Sequence, residues 1–364
     1  MKYLFPILLT AFLLLVPLKG PTAPTEPDAE QAYEGEVQAI LGEETLETLD
    51  GTQTVQKLQV KISNGDKKDQ VVEVDHGLGS SFSSQVYEEG DKVLMVHYED
   101  PSGAQIFFVA EPVRRPALLA LFLVFVGVVL LVTWGKGLSA LIAMGFSFLV
   151  LLKWMLPLFL TGMNPLVVGI SGSALLVPAV FSLSHGWNKK TLIAMAGTFI
   201  TLVIASILAL IVSDLTLLTG FANEESTFLK MNTGNLIDFK GLLLAGILIG
   251  MLGVLDDVTI SQVSLVEEMR ELKKNIGFGE LFKRAMNVGR DHIASVINTL
   301  VLVYTGASLP LLLLFLDSSR TFGEVVNYEF VAEEIVRTLI GSIGLVLAVP
   351  ITTLIAAKFY SQKK

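Results

Sequence analysis

The 364-residue chain is 52% hydrophobic and only 17% charged, and its mean hydropathy is +0.63. Soluble domains carry about 25% charged residues, so this composition, with apolar blocks of bilayer length, indicates a membrane protein. The absence of cysteine excludes disulfides, thiolate metal sites, a cysteine nucleophile and a lipid anchor on cysteine.

The net charge of −9 is unevenly distributed along the chain. Residues 33–112 hold 16 acidic and 5 basic side chains, whereas residues 113–364 hold 19 basic and 16 acidic ones. Nucleic-acid-binding proteins present a clustered basic face, so the acidic N-terminal part argues against nucleic acid as a partner. The sequence has no glycine-rich phosphate loop and no zinc-spaced histidine pair, so we expect no cofactor and leave any metal unknown.

The first 20 residues have the pattern of an export signal, with a short basic start followed by an apolar run. The small-residue cleavage site is poor, so a cleaved signal peptide and an uncleaved signal anchor both stay open. Residues 21–32 are rich in proline, threonine and acidic side chains, and this composition is typical of a linker.

Residues 33–112 predict a small extracytoplasmic β domain. Five partly alternating, β-branched runs are separated by glycine-containing turns, as expected for an OB-like barrel or sheet. The predicted strands are Tyr33–Ile40, Val55–Ile62, Gln70–Val74, Lys92–Val96 and Ala104–Val109. A ligand-binding domain and a packing or docking module both fit this pattern, because fold does not determine function.

Residues 113–364 predict an α-helical polytopic membrane bundle of about seven spans. The expected spans are Pro116–Trp134, Gly137–Leu156, Pro165–Ser184, Leu192–Val212, Gly241–Leu255, Ile293–Leu316 and Val336–Ala357. With residues 33–112 outside, twelve lysines and arginines fall on the inner side and seven on the outer side. This bias predicts a bacterial cell membrane protein with a cytoplasmic C-terminus.

The fifth span combines small residues with two carboxylates. Gly246, Gly250 and Gly253 share one helical face with Asp257, and Asp256 is its neighbour. The face predicts either a close contact with another helix or an ion site at the end of that contact. Adjacent carboxylates at membrane depth repel unless a cation or proton is shared, so Asp256 and Asp257 are candidate ion-binding residues.

Residues 261–290 predict a cytoplasmic amphipathic segment in which a capping box, Ser264 to Glu267, begins a helix at the membrane surface. Arg290 is a candidate partner for Asp256 or Asp257 at the same membrane side. The further candidate residues before and within the sixth span are Asp291, His292 and Asn298. The charged residues are either interfacial anchors or part of the site, and Asn298 is expected to hydrogen-bond to another helix.

Four strings in the membrane part carry a family resemblance. They are GVLDDVTISQ at 253–262, RAMNVGRDHIASVINTL at 284–300, LPLLLL at 309–314 and EIVRTLIGSIGLVLAVPITT at 334–353. The chain resembles the YibE/F-like family of bacterial multi-pass membrane proteins over roughly residues 33–360. The resemblance implies a transport-related role and a homo-oligomer or related membrane subunit as candidate partner, without any inherited site residue.

The residues and the resemblance together support three hypotheses. The first is a transporter or permease of a small ion or solute, in which the carboxylate pair binds a cation or proton and Arg290 and Asp291 balance it. The second is a non-transporting envelope scaffold whose β domain docks a partner. The third, an intramembrane enzyme, has least support because no nucleophile–base pair can be assembled, and we expect no enzymatic activity.

Overall fold

The computed structural model describes residues 31–48, 51–77, 85–99, 105–222, 224–234, 236–316 and 320–362. The chain divides into two compact units at Leu131, and each is described by itself. The predicted signal at 1–20 and nearly all of the predicted linker at 21–32 lie outside the described residues.

A five-stranded antiparallel sheet opens the first unit, with the strand order β3-β2-β1-β4-β5. Its strands are β1 Gln31–Thr48, β2 Gly51–Ile62, β3 Val71–His76, β4 Lys92–Glu99 and β5 Gln105–Pro112. The long β1 pairs with β4 only through residues 31–36, whereas its pairing with β2 continues to the hairpin tip. The sheet curls and brings its edge strands β3 and β5 near each other, which confirms the predicted β domain.

Alternating side chains fill the inside of this curled sheet. Leu58, Val60 and Ile62 of β2 are fully buried, as a period of two residues requires. Tyr33 is also buried, and its hydroxyl donates to Asp66 Oδ1 at 2.7 Å, which lowers the pKa of the Asp66 carboxyl. Because the folded pKa is lowered, this stabilisation is present at neutral pH and is lost as the pH falls through the acid range.

Helices make up the rest of the described chain. They are α1 Arg115–Thr133, α2 Gly135–Val150, a π-helical segment Leu151–Met155, α3 Leu156–Leu160, α4 Pro165–His185, α5 Lys189–Leu215, α6 Glu224–Thr233, α7 Phe239–Leu272, α8 Phe278–Ala307, α9 Leu309–Leu316, α10 Phe322–Val325 and α11 Glu329–Ser361. The segments from Gly135 to Leu160 run on as one continuous helix. The predicted helical membrane architecture is therefore confirmed.

The described residues contain six helices that are long and apolar enough to cross a membrane, against about seven predicted. The difference is the predicted span Ile293–Leu316, which the structure divides into α8 and α9. The helix breaks at Ser308, two residues before Pro310, whose ring disfavours a continuous helix. Helix α9 is therefore too short to match a span, and α8 is too polar because its first half carries charged residues.

Helix α7 is longer than the sequence predicts and changes the interpretation of residues 261–272. We expected a new helix at Ser264, but α7 continues unbroken to Leu272. The Ser264 hydroxyl donates to the Ile260 carbonyl one turn back, so it does not cap a helix. Val263 and Val266 are fully buried in the bundle core, whereas Glu268, Glu271 and Leu272 are exposed, so one face of this stretch packs into the bundle.

Candidate functional site

Asp256 lies in the middle of α7, where the bundle packs α4 and α5 against that helix. Its side chain is 18% exposed, and its Oδ1 atom is buried without a hydrogen-bond partner among the described residues. The nearest basic group is His185 Nε2, 3.9 Å from Asp256 Oδ1, which forms an ion pair when the imidazole is protonated. Asp256 is thus the member of the carboxylate pair that faces the bundle.

Asp257 points elsewhere. Neighbouring residues of an α-helix are rotated by about 100°, and this rotation leaves Asp257 exposed while Asp256 is half-buried. The described residues include no ion pair to Asp257, although its charge acts on His185. The two carboxylates therefore have different environments, and they do not form an aspartyl dyad with each other.

The sequence analysis did not identify His185 as a site residue. This residue ends α4, and its carbonyl accepts a hydrogen bond from Asn188 Nδ2 at 2.9 Å. Asn188 Oδ1 accepts from the Thr191 amide at 2.9 Å and so caps α5. This tight turn holds the imidazole beside Asp256, with the positive charges of Lys136 and Lys190 also acting on it. The sequence does carry a signal for this residue, because His185 ends an apolar run just before the helix-capping Asn188.

A buried layer of hydroxyl and amide groups continues from Asp256 along α7. The Thr259 hydroxyl donates to the Asp256 carbonyl at 3.3 Å and lies 3.0 Å from the Thr198 hydroxyl of α5. One turn further on, Gln262 Nε2 donates to the Ala285 carbonyl of α8 and to the Thr353 hydroxyl of α11. The layer therefore begins at the backbone of Asp256 and not at its carboxylate, inside an otherwise apolar bundle.

The structure does not bring Arg290 to the carboxylates, so this predicted pairing is wrong. Arg290 Nη1 donates to Asn287 Oδ1 at 3.4 Å on its own helix, and no ion pair in the described chain includes it. The reason is the rotation of α8, whose Gly289 packs against Val349 and Gln262. Its neighbour Arg290 consequently points away from the core.

The remaining candidates on α8 are also outside the site. Asp291, His292 and Asn298 are exposed, and none of them contacts Asp256. The expected helix-to-helix hydrogen bond of Asn298 is not made within the part of the chain that the structure describes. The common cause is the face that they occupy, because Ile293, Val296 and Leu300 are the residues that pack against the core in this half of α8.

The glycine face of α7 makes no close helix contact within the described residues, so this prediction is corrected too. A Cβ atom at Gly246 or Gly253 would meet nothing within 4 Å. At Gly250 it would meet only the Tyr304 hydroxyl, at 3.8 Å. The core-facing residues of α7 are instead large and apolar, such as Leu248 and Met251, because the opposite face of the helix packs against α5 and α11.

The fold and the half-buried carboxylate on a long apolar helix define a multi-helix membrane protein. The model of the family described as YibE/F-like protein matches residues 121–362. The chain belongs to this family, as the resemblance predicts, and the match begins within α1, so the β sheet lies outside the matched region. The comparison with curated proteins found no match, and neither did the comparison with solved structures.

Proposed function

We propose that this protein is a transporter or permease of a small ion or solute in a bacterial cell membrane, and that Asp256 binds the transported or coupling cation. The observation that carries the proposal is the buried, unpartnered Oδ1 of Asp256 on an apolar helix. An ionised carboxylate in such a setting is unfavourable unless a proton or cation neutralises it. Carboxylates buried within such helices therefore mark ion pathways more often than packing.

His185 provides a way to exchange the bound ion. When the imidazole carries a proton, its positive charge 3.9 Å from Asp256 Oδ1 balances the carboxylate. When the imidazole is neutral, the carboxylate needs another positive charge, which the transported ion supplies. Among the described residues no three histidine, aspartate or glutamate side chains converge as a metal site, which favours a proton or a monovalent cation.

The orientation follows from the charge bias of the sequence. With residues 33–112 outside the cell, Asp256 and His185 lie towards the cytoplasmic side, where lysines are enriched. A second copy of the chain, or a related membrane subunit, remains the proposed protein partner.

The test is ion flux into proteoliposomes that contain a trapped pH-sensitive dye, driven by an imposed proton or Na⁺ gradient. We expect the parent protein to move protons faster than empty liposomes and Asp256→Asn to lose this activity. Asp257→Asn is the matched control, because this neighbour is exposed and should keep most of the flux. Equal flux from Asp256→Asn and the parent would contradict the assignment of Asp256.

The scaffold function is the second candidate, and one observation favours it. The β1–β2 hairpin extends beyond the rest of the sheet, since β3 pairs with β2 only over residues 56–61. Its arm carries exposed acidic side chains, among them Glu43 and Glu44. A parent protein that is folded but moves no ion above the empty-liposome background would support this alternative.

A further inference from the structure

Glu333 of α11 is a buried carboxylate that the Asp256 site does not include. The residue is only 6% exposed, and its Oε1 atom has no hydrogen-bond partner in the described chain. The residue lies in the second turn of α11, within a helix that is otherwise apolar enough to cross a membrane. Such a side chain is costly to bury in ionised form.

The register of the two central helices places Glu333 far from Asp256. Gly344 of α11 lies against Met251 of α7, and the Gln262–Thr353 hydrogen bond lies further along the same pair of helices. Helices α7 and α11 therefore run parallel, and Glu333 is level with the first turns of α7. Asp256 lies about 25 Å further along α7 at 1.5 Å per residue. Glu333 thus lies at the start of this helix pair, whereas Asp256 lies near the middle of α7, beside the histidine that ends α4.

The charged neighbours on α11 are paired with other groups. Arg337 Nη1 bonds Glu334 Oε1 at 2.6 Å and makes no described ion pair with Glu333. The Glu329 carboxylate accepts hydrogen bonds from the Thr219 hydroxyl at 2.7 Å and from the Gly220 amide at 3.1 Å. These acidic and basic groups act on Glu333 only through their charge.

The neighbouring helices leave Glu333 without a partner as well. The charged residues of α5 and α7 at this end, Asp214 and Lys240, pair with each other at 2.5 Å. Ser213 of α5 is also buried at this end, and its hydroxyl has no hydrogen-bond partner in the described chain. Every described charge around Glu333 is thus engaged elsewhere.

We propose that Glu333 is a proton-binding site at the start of α11, separate from Asp256. A proton neutralises the carboxyl in place and needs no other ligand, whereas a metal cation requires several oxygen ligands. The idea that the two carboxylates exchange protons with opposite sides of the membrane rests on the proposed function, but proton binding at Glu333 does not.

The experiment uses dicyclohexylcarbodiimide, an apolar reagent that partitions into membranes and modifies protonated carboxyl groups. The full-length protein in its native membrane is treated over a range of pH, and modification is assigned to single residues by tandem mass spectrometry. We expect Glu333 to be modified and the modification to be lost as the pH rises. Glu334 is the internal control, because it is paired with Arg337 and more exposed than Glu333, and we expect no modification there.

Two further measurements make the outcome decisive. Glu333→Gln should abolish the modification at position 333. If this variant does not fold, the comparison of Glu333 with Glu334 in the parent protein still tests the proposal. Modification of Glu333 no greater than that of Glu334 at every pH would overturn the proposal, and so would protection by Na⁺ at constant pH. Modification of Glu333 in a folded parent protein that moves no ion above the empty-liposome background would refute the transport function and leave this site intact.

Discussion

Gln262 joins three helices through a single side-chain amide. Its Nε2 atom donates to the Ala285 carbonyl at 3.1 Å and to the Thr353 hydroxyl at 2.8 Å. The Thr353 hydroxyl in turn donates to the Val349 carbonyl at 2.6 Å, so α7, α8 and α11 are linked in one buried network. Buried networks of this kind stabilise a structure only while every member has its partner.

Gln262→Leu should therefore destabilise the bundle. The change keeps a similar volume but leaves the Ala285 carbonyl and the Thr353 hydroxyl without their described donor, which costs about 1–3 kcal/mol. The measurement is the midpoint of unfolding in detergent. Ser264→Ala is the control on the same helix, because the Ser264 hydroxyl bonds the Ile260 carbonyl of that helix. An equal loss of stability in both variants would refute the network.

At the scale of helices, glycine acts where two helices meet closely, and sequence spacing does not identify these positions. Gly197 of α5 is in contact with Thr352 of α11, since a Cβ atom there would overlap the Thr352 side chain. Gly246 and Gly250 of α7 have the four-residue spacing that predicts a helix contact, yet a Cβ atom at Gly246 would meet nothing within 4 Å. Close packing depends on which face the partner helix covers, and periodicity does not report that.

Gly197→Ala should consequently destabilise the protein while Gly246→Ala should not. The added methyl group at Gly197 overlaps a β-branched side chain close to its backbone, and such overpacking costs about 1–3 kcal/mol. At Gly246 the same change replaces glycine, a weak helix former, with alanine. It should raise the free energy of unfolding by up to about 1 kcal/mol. Unfolding midpoints of both variants in one detergent are the measurement, and the reverse order would show that the glycine face of α7 is the packed one.

The charge distribution of the whole molecule predicts its direction in the membrane. Residues 33–112 carry the excess of acidic side chains, whereas lysines and arginines concentrate in the loops that the topology assigns to the inside. Ser63 lies on the β domain and Asn275 between α7 and α8, and both are exposed. The two residues report on regions that the proposed topology puts on opposite sides.

Ser63→Cys should react with a membrane-impermeant thiol reagent in intact cells, and Asn275→Cys only after the cells are permeabilised. The parent sequence has no cysteine, so it supplies a background without labelling. Labelling of Asn275→Cys but not of Ser63→Cys in intact cells would reverse the topology, and the Asp256 site would then face outwards.

The sequence by itself determined the membrane class, the five strands of the β domain and the family, because hydropathy, alternation and long motif strings are local properties. It also marked Asp256 and Asp257 together as candidates, since carboxylates in an apolar run stand out without any structure, but it did not tell which of the two faces the bundle. Only the tertiary structure decided that His185 lies beside Asp256 and that Arg290 does not. These contacts depend on the rotation of each helix about its axis, and that rotation is set by the packing of neighbouring helices, which no single segment encodes.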